Sequence, residues 1–163
     1  MLLLKLVIET AFFCLMMVGV LKFMIRDGAI HAVHFYPKKI QDRVIELGLI
    51  TPGEIKANSV HFRMICIPLY IVISCIFVYG VNAAETFLSA FLEMLFIFEV
   101  FNLFDCLVID ETWVRKDKAW LIPGTEDLYD DYLPLDLQIR KRVSAGIFFA
   151  LIAAVIALIG SLF

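Results

Sequence analysis

The chain has 163 residues, of which 62% are hydrophobic and only 19% are charged, and its formal net charge at pH 7 is -3. Soluble globular proteins contain about half apolar residues. Here the apolar residues come in long blocks separated by polar stretches, which excludes an evenly mixed soluble core. The basic residues do not combine with aromatic residues into a surface for nucleic acid, which excludes nucleic acid as a partner.

Four apolar segments follow one another along the chain. Each is long enough to cross the hydrocarbon core of a bilayer as a helix, which takes about 20 residues. We predict membrane-spanning helices at about residues 2–25, 64–81, 86–109 and 143–163. The predicted fold class is an all-α, polytopic integral membrane protein with one membrane domain, residues 1–163.

Basic residues are concentrated in the two long connections between these segments. Residues 26–63 and residues 110–142 each contain six Lys or Arg residues, whereas the short turn at residues 82–85 contains none. Because Lys and Arg are enriched on the cytoplasmic side of membrane proteins, we predict that both long connections are cytoplasmic. With four crossings, both termini are then extracytoplasmic, in a bacterial inner membrane or plasma membrane.

The first segment contains three charged residues. Lys5 and Lys22 lie near its ends, where a lysine can extend its ammonium group to the head groups. Glu9 lies about two helical turns from the start. It either faces water near the outer surface or joins the third segment in a polar interior.

The first long connection contains the pattern of an amphipathic helix. Pro37 suits the first position of a helix, and Ile40, Val44 and Leu47 recur at i, i+4 and i+7 with charged residues between them. We predict an interfacial helix over about residues 37–47, with its apolar stripe facing the membrane.

A second helix start follows in the same connection. Thr51 and Glu54 have the spacing of a capping box, and Pro52 occupies the first helical position between them. We predict that a helix begins here and continues into the second segment, with a kink at Pro68.

The third segment carries more polar side chains than a lipid-facing helix tolerates, since ionisable groups at membrane depth normally face a protein interior or a hydrated cavity. At 100° per residue, Glu99 and Asp110 point within about 20° of one direction. Asn102 lies about 60° and Asp105 about 120° from that direction, while Glu93 points elsewhere. We predict that this arc, Glu99, Asn102, Asp105 and Asp110, binds a proton, a metal ion or a small cation. The alternative is a protonated Glu99 that holds helices together through hydrogen bonds.

A second constellation follows the first segment. Asp27, His31 and His34 recur at i, i+4 and i+7, and would share one face of an α-helical extension. His61 is expected at the same cytoplasmic interface. Imidazole and carboxylate groups bind transition metals, so a divalent metal is a candidate cofactor at these four residues. The alternative is that the histidines are ordinary residues at the head-group level.

Small residues follow helical spacing along one side of the fourth segment. They are Gly146, Ala150, Ala154, Ala157 and Ser161. Small side chains let membrane helices approach each other closely. We predict that this face packs against another helix, either in the same chain or in a second copy within a homo-oligomer.

The second long connection has an acidic middle between two basic ends, with Asp130, Asp131 and Asp136 in its central part. Such a run is either solvated and paired within the chain, or it is a site for a divalent cation or a partner protein. The pattern alone leaves both open.

Several motifs stand out in these regions: His34-Phe35-Tyr36-Pro37, then Asn102-Leu103-Phe104-Asp105 with Val108-Ile109-Asp110, then Ile122-Pro123-Gly124-Thr125-Glu126-Asp127. With them, the chain resembles a group of small four-helix bacterial membrane proteins without an assigned activity. The resemblance implies the four-helix topology and no catalytic role. In that group an aromatic-histidine pair often precedes the last helix, whereas this chain has Leu135-Asp136-Leu137-Gln138.

Three functions are compatible with these features. The leading hypothesis is a non-enzymatic membrane protein that binds or passes a proton, metal ion or small cation in a cavity lined by the third segment. The first alternative is a membrane enzyme whose histidine cluster holds a metal that activates water against a lipid or amphipathic substrate. The second is an accessory subunit or assembly factor that docks on another membrane protein.

Overall fold

A computed structural model describes residues 1–162 of the chain. Within that range the protein is all-helical: helix makes up 82% of the chain and there are no strands. Phe163, the end of the fourth predicted segment, lies outside the described residues.

The first half of the chain forms three α-helices. Helix α1 spans Leu2–Ile25, and a 3₁₀ segment, Ala29–Phe35, follows it. Helix α2 spans Lys38–Glu46. Helix α3 spans Pro52–Cys75 and continues as a π-helical turn, Ile76–Val81.

The second half contains two more α-helices. Helix α4 spans Phe87–Phe104 and continues as a π-helical segment, Asp105–Val114. Two short 3₁₀ turns, Lys118–Trp120 and Glu126–Asp131, lie in the second connection. Helix α5 spans Leu135–Gly160. Its start, well before residue 143, corrects the prediction that the second connection extends to residue 142.

Among residues 1–162, three helical stretches are long and apolar enough to cross a membrane: Leu2–Ile25, Pro52–Val81 and Leu135–Gly160. They contain the first and second predicted segments and residues 143–160 of the fourth. Helix α4, in the third predicted segment, is not among them. The coarse prediction of an all-helical protein with several apolar helices of membrane-spanning length is therefore confirmed.

The predicted capping box sets the start of α3. The Thr51 hydroxyl accepts a hydrogen bond from the Glu54 amide at 3.3 Å, and the Glu54 carboxylate accepts one from the Thr51 amide at 2.8 Å. Together they satisfy backbone donors that the first helical turn leaves free. The helix accordingly begins at Pro52, as predicted.

Helix α4 is the central helix and packs along both α1 and α5. Its Met94 and Ile97 are fully buried together with Phe13 of α1 and Ala153 and Ala157 of α5. Small residues thus bring α5 close to α4, as expected for helices that pack in lipid. Of the predicted small-residue face, Ala157 lies in this cluster and Gly146 lies against α4 side chains, whereas Ala153 is not part of that face. Homo-oligomer formation stays a prediction.

The helices alternate in direction, so the bundle has two distinct ends. At the short-turn end, which contains the turn after Val81, the Lys5 ammonium donates to the Val81 carbonyl at 2.9 Å. The Tyr79 hydroxyl donates to the Ile156 carbonyl at 3.2 Å. The two long connections meet at the opposite, long-loop end.

The two long connections form a packed unit, which we call the loop cap (residues 26–51 and 115–134). Ile40 and Val44 of α2 are fully buried there, in one cluster with Trp120 and Ile122. Two residues of the predicted stripe, Ile40 and Val44, therefore face protein, whereas the sequence prediction had the stripe facing the membrane. The third, Leu47, is half-exposed. The amphipathic pattern does not distinguish these two apolar surroundings.

Ion pairs join α2 to the acidic part of the second connection. Arg43 contacts both carboxylate oxygens of Asp127, at 3.0 and 3.1 Å, and Lys39 lies 2.5 Å from Asp131. Arg43, through its hydrogen bond, lowers the pKa of Asp127. These two carboxylates are therefore paired within the chain.

Buried tyrosines connect the halves of the loop cap. The Tyr36 hydroxyl donates to the Trp120 carbonyl at 2.8 Å, and the Ile122 amide donates to the Tyr132 hydroxyl at 3.1 Å. Burial raises the pKa of Tyr36 because it disfavours the charged phenolate. The two rings are in contact, with centroids 4.8 Å apart.

We predict that Ile40→Ala destabilises the loop cap. Truncating a fully buried isoleucine removes apolar contacts and leaves a cavity, which costs about 2–5 kcal/mol. The free energy of unfolding in detergent solution should fall accordingly. The control, Leu49→Ala, truncates a half-exposed side chain and should change it by only about 0.5 kcal/mol. Equal losses in both variants would contradict the burial of the α2 stripe.

Candidate functional site

Three members of the predicted polar arc come together around a basic residue of α5. Arg142 forms ion pairs with Asp105 and Asp110. Its Nη1 also donates to the side-chain oxygen and the carbonyl oxygen of Asn102, at 3.3 Å each. In return, Asn102 Nδ2 donates to the Arg142 carbonyl oxygen at 3.3 Å. These four residues form the ion-pair cluster, at the long-loop end.

The winding of the α4 continuation places Asp105 and Asp110 on one side. From Asp105 onward the helix is π-helical, so its hydrogen bonds connect residues i and i+5. Residues five apart then lie one turn apart. The large predicted angle between the two carboxylates rested on regular α-helical winding. The π-helical segment turns less per residue and so reduces that angle.

Arg142 is the member of this cluster that the sequence prediction missed. It had been assigned to the second connection, but α5 begins at Leu135, about two turns earlier. Lys141 also approaches the cluster, at 3.4 Å from Asp110 and 3.7 Å from Asp105. Two carboxylates therefore face two cations. The sequence did contain a signal for these ion pairs. Three consecutive basic residues directly precede the apolar part of α5, and the third segment contains carboxylates that would need cationic partners.

Glu99 lies next to this cluster, against Gly146 of α5. A Cβ atom at Gly146 would lie 3.2 and 3.4 Å from the two Glu99 carboxylate oxygens, and 3.7 Å from Asn102 Nδ2. The glycine therefore provides the space for the half-buried Glu99 side chain. The carboxylate forms no ion pair within residues 1–162.

A cavity of about 270 Å³, the bundle cavity, lies beside the ion-pair cluster. Its walls come from α1, α3, α4, α5 and the loop cap. Its charged lining residues are Asp105, Asp110 and Lys141. The remaining walls are almost entirely apolar or aromatic and include Met17, Leu21, Phe62, Tyr70, Phe98, Phe101, Ile109, Trp120, Phe149 and Ile152. The cavity therefore combines an apolar interior with one polar, charge-balanced end.

The predicted histidine cluster is only partly assembled. His31, His34 and His61 line one groove between α1 and α3, but Asp27 lies outside it and pairs with the preceding arginine. The chain turns at Gly28, whose φ of 116° favours glycine, and continues as a 3₁₀ helix instead of the assumed α-helix. In the described part of the chain, no three His, Cys, Asp or Glu side chains are arranged to hold a metal ion. The predicted divalent-metal site therefore receives no support from the geometry.

Glu93 lies apart from the ion-pair cluster, in the first half of α4. It is buried near the short-turn end, where α4 packs against α1. Glu9 of α1 is buried at the same end, consistent with the alternative that it joins a polar interior.

No protein-family model matches the chain, and comparisons with curated proteins and with solved structures also give no match. The resemblance of its motifs to small four-helix bacterial membrane proteins stays a prediction.

We predict that Arg142→Gln strongly destabilises the protein. The substitution leaves Asp105 and Asp110 without their main partner, and losing one side of a buried ion pair costs about 3–5 kcal/mol. The free energy of unfolding should fall by about this amount. Arg140→Gln changes an exposed arginine of the same helix and serves as the control. Adding Asp105→Asn and Asp110→Asn to Arg142→Gln should restore part of the loss. No recovery in the triple variant would contradict this account.

We predict that acidic pH weakens the structure around His34. Both its ring nitrogens are buried without a hydrogen-bond partner within residues 1–162. Burial, together with the nearby charge of Arg63, lowers the pKa of His34. The unfolded chain therefore takes up a proton at His34 more readily than the folded chain does. The free energy of unfolding should fall as the pH drops from about 6.5, the ordinary pKa of histidine, toward the lower pKa of His34 in the folded protein.

Thermal unfolding midpoints between pH 8 and pH 5 measure this effect. His34→Phe should remove this part of the pH dependence, while His61→Phe, at an exposed position, should retain it. An unchanged pH dependence in His34→Phe would show that another group is responsible.

Proposed function

We propose that the chain is an integral membrane protein with four spanning helices, α1, α3, α4 and α5, in a bacterial inner or plasma membrane. Only 28%, 17% and 11% of the residues in the most apolar windows of α1, α3 and α5 are buried within the chain. Such large exposed apolar surfaces are expected to contact lipid. Because the basic residues of both long connections lie at the long-loop end, that end is cytoplasmic in this proposal.

We infer that its function is to bind an amphipathic molecule in the bundle cavity. The observation that supports this is the combination of apolar walls with one charged end next to the ion-pair cluster. Ligand pockets are mostly apolar, with a few polar groups that fix orientation. The apolar part of the ligand would lie among the aromatic side chains, and its head group would contact Asp105, Asp110 and Lys141.

The charge balance indicates the class of head group. Two carboxylates and two cations leave no net local charge, so a neutral or zwitterionic head group can bind without an uncompensated charge. The same balance argues against the hypothesis that a metal ion or small cation binds at Asp105 and Asp110, because Arg142 and Lys141 already occupy that role. A binding protein is therefore favoured over a metal-dependent enzyme.

A photoactivatable lysophosphatidylcholine, with its reactive group on the acyl chain, tests this proposal. After irradiation in detergent solution, cross-links should map to residues lining the bundle cavity. Ile152→Trp places a large side chain into the cavity and should reduce labelling at least tenfold. Val155→Trp adds the same bulk at an exposed position of α5 and should leave the labelling unchanged.

Wild-type cross-links confined to the outer surface of the bundle, or equal labelling of both tryptophan variants, would refute cavity binding. Thermal unfolding midpoints of the two variants should be measured in parallel. They show whether a loss of labelling in Ile152→Trp reflects a filled cavity or an unfolded chain.

A further inference from the structure

A second polar cluster lies at the short-turn end, remote from the bundle cavity. Asn82, just after the π-helical turn of α3, donates through Nδ2 to Glu9 Oε2 at 3.0 Å. Glu93 of α4 lies beside them, within electrostatic reach of Glu9 and Lys5. Both glutamates are only 5% exposed. Two carboxylates from different helices are thus buried around one amide.

Each of these three side chains has a buried oxygen atom without a hydrogen-bond partner in the described part of the chain. The atoms are Glu9 Oε1, Asn82 Oδ1 and Glu93 Oε2. An unpaired buried acceptor costs free energy, and an unpaired buried charge costs more. Three unpaired acceptors at one place therefore require an electropositive partner.

The charged groups around the cluster leave it negative. From α1, Lys5 approaches, and its ammonium donates to the Val81 carbonyl. From the π-helical turn of α3, Tyr79 donates to a backbone carbonyl of α5. The part of α5 at this end carries no ionisable side chain, because residues 143–162 contain none. Two carboxylates against one ammonium leave one negative charge.

We propose that Glu9, Asn82 and Glu93 bind one monovalent metal cation of the Na⁺ type. Carboxylate and amide oxygens are hard ligands that prefer hard cations. A single positive charge matches the residual negative charge. A proton shared by the glutamates would partner only two of the three free oxygens, whereas a metal ion can contact all three. This site is separate from the amphipathic-ligand site and shares no residue with it.

The half-buried Asn82 provides the route of entry. It lies at the start of the short turn, next to the exposed Ala83 and Glu85. A cation can therefore reach the cluster from the solution at this end without crossing the bundle.

Thermal unfolding of the full-length protein in detergent tests the proposal. At fixed pH and ionic strength, replacing choline chloride with NaCl should raise the unfolding midpoint in a saturable manner. Glu9→Gln and Glu93→Gln should each abolish this rise. Glu85→Gln removes an exposed carboxylate near the same turn and should retain it. Equilibrium binding of ²²Na⁺ to the wild-type protein should approach one ion per chain.

Equal midpoints in Na⁺ and choline, together with no ²²Na⁺ binding, would overturn the proposal. The proton alternative is measured in the His34→Phe background, which lacks the pH dependence expected from His34. A midpoint that depends on pH there and not after the further change Glu93→Gln, without any effect of Na⁺, would assign a proton to the pair and also overturn the proposal. The wild-type ²²Na⁺ measurement decides the question even if a glutamine variant does not fold.

Discussion

The ion pairs of Arg142 are the interaction on which the long-loop end depends. A guanidinium keeps its charge in any protein environment. The first turns of α5 must therefore lie where carboxylates can pair with the Arg142 guanidinium. Asp105 and Asp110 do so from the π-helical continuation of α4. A shift of α5 along α4 would leave a buried charge unpaired, at a cost of about 3–5 kcal/mol. The cluster thereby sets the register of the two most closely packed helices.

The loop cap extends this end of the bundle and covers the cavity. Tyr36 of the first connection and Trp120 and Leu133 of the second line the cavity directly. Their positions are held by the hydrogen bond of Tyr36 to the Trp120 carbonyl and by the ion pairs of α2 with the acidic residues. The motifs that contain Tyr36, Asp105 and Ile122 are far apart in the chain but meet at this one end. The packing of the two long connections and the shape of the bundle cavity therefore depend on each other.

Polar groups are divided between the two ends of the bundle, and the apolar packing of α1, α4 and α5 separates them. At the long-loop end, carboxylates and cations are balanced, which suits a neutral or zwitterionic head group. At the short-turn end, Glu9 and Glu93 outnumber Lys5, and three acceptor oxygens lack partners. That imbalance suits a cation. The two proposed ligands follow from this difference in local charge.

The sequence by itself determined the all-helical class, three of the apolar helices and the start of α3, because hydrophobic runs and capping boxes are local properties. It also singled out Glu99, Asn102, Asp105 and Asp110, as an arc that would bind a proton, a metal ion or a small cation. Only the tertiary structure decided which partners they have. Arg142 is distant in sequence, the π-helical winding changes the side-chain directions, and the stripe of α2 could face lipid or protein equally well. The pairing of Glu9 with Asn82 and Glu93 likewise arises between three helices, and periodicity within one helix carries no information about it.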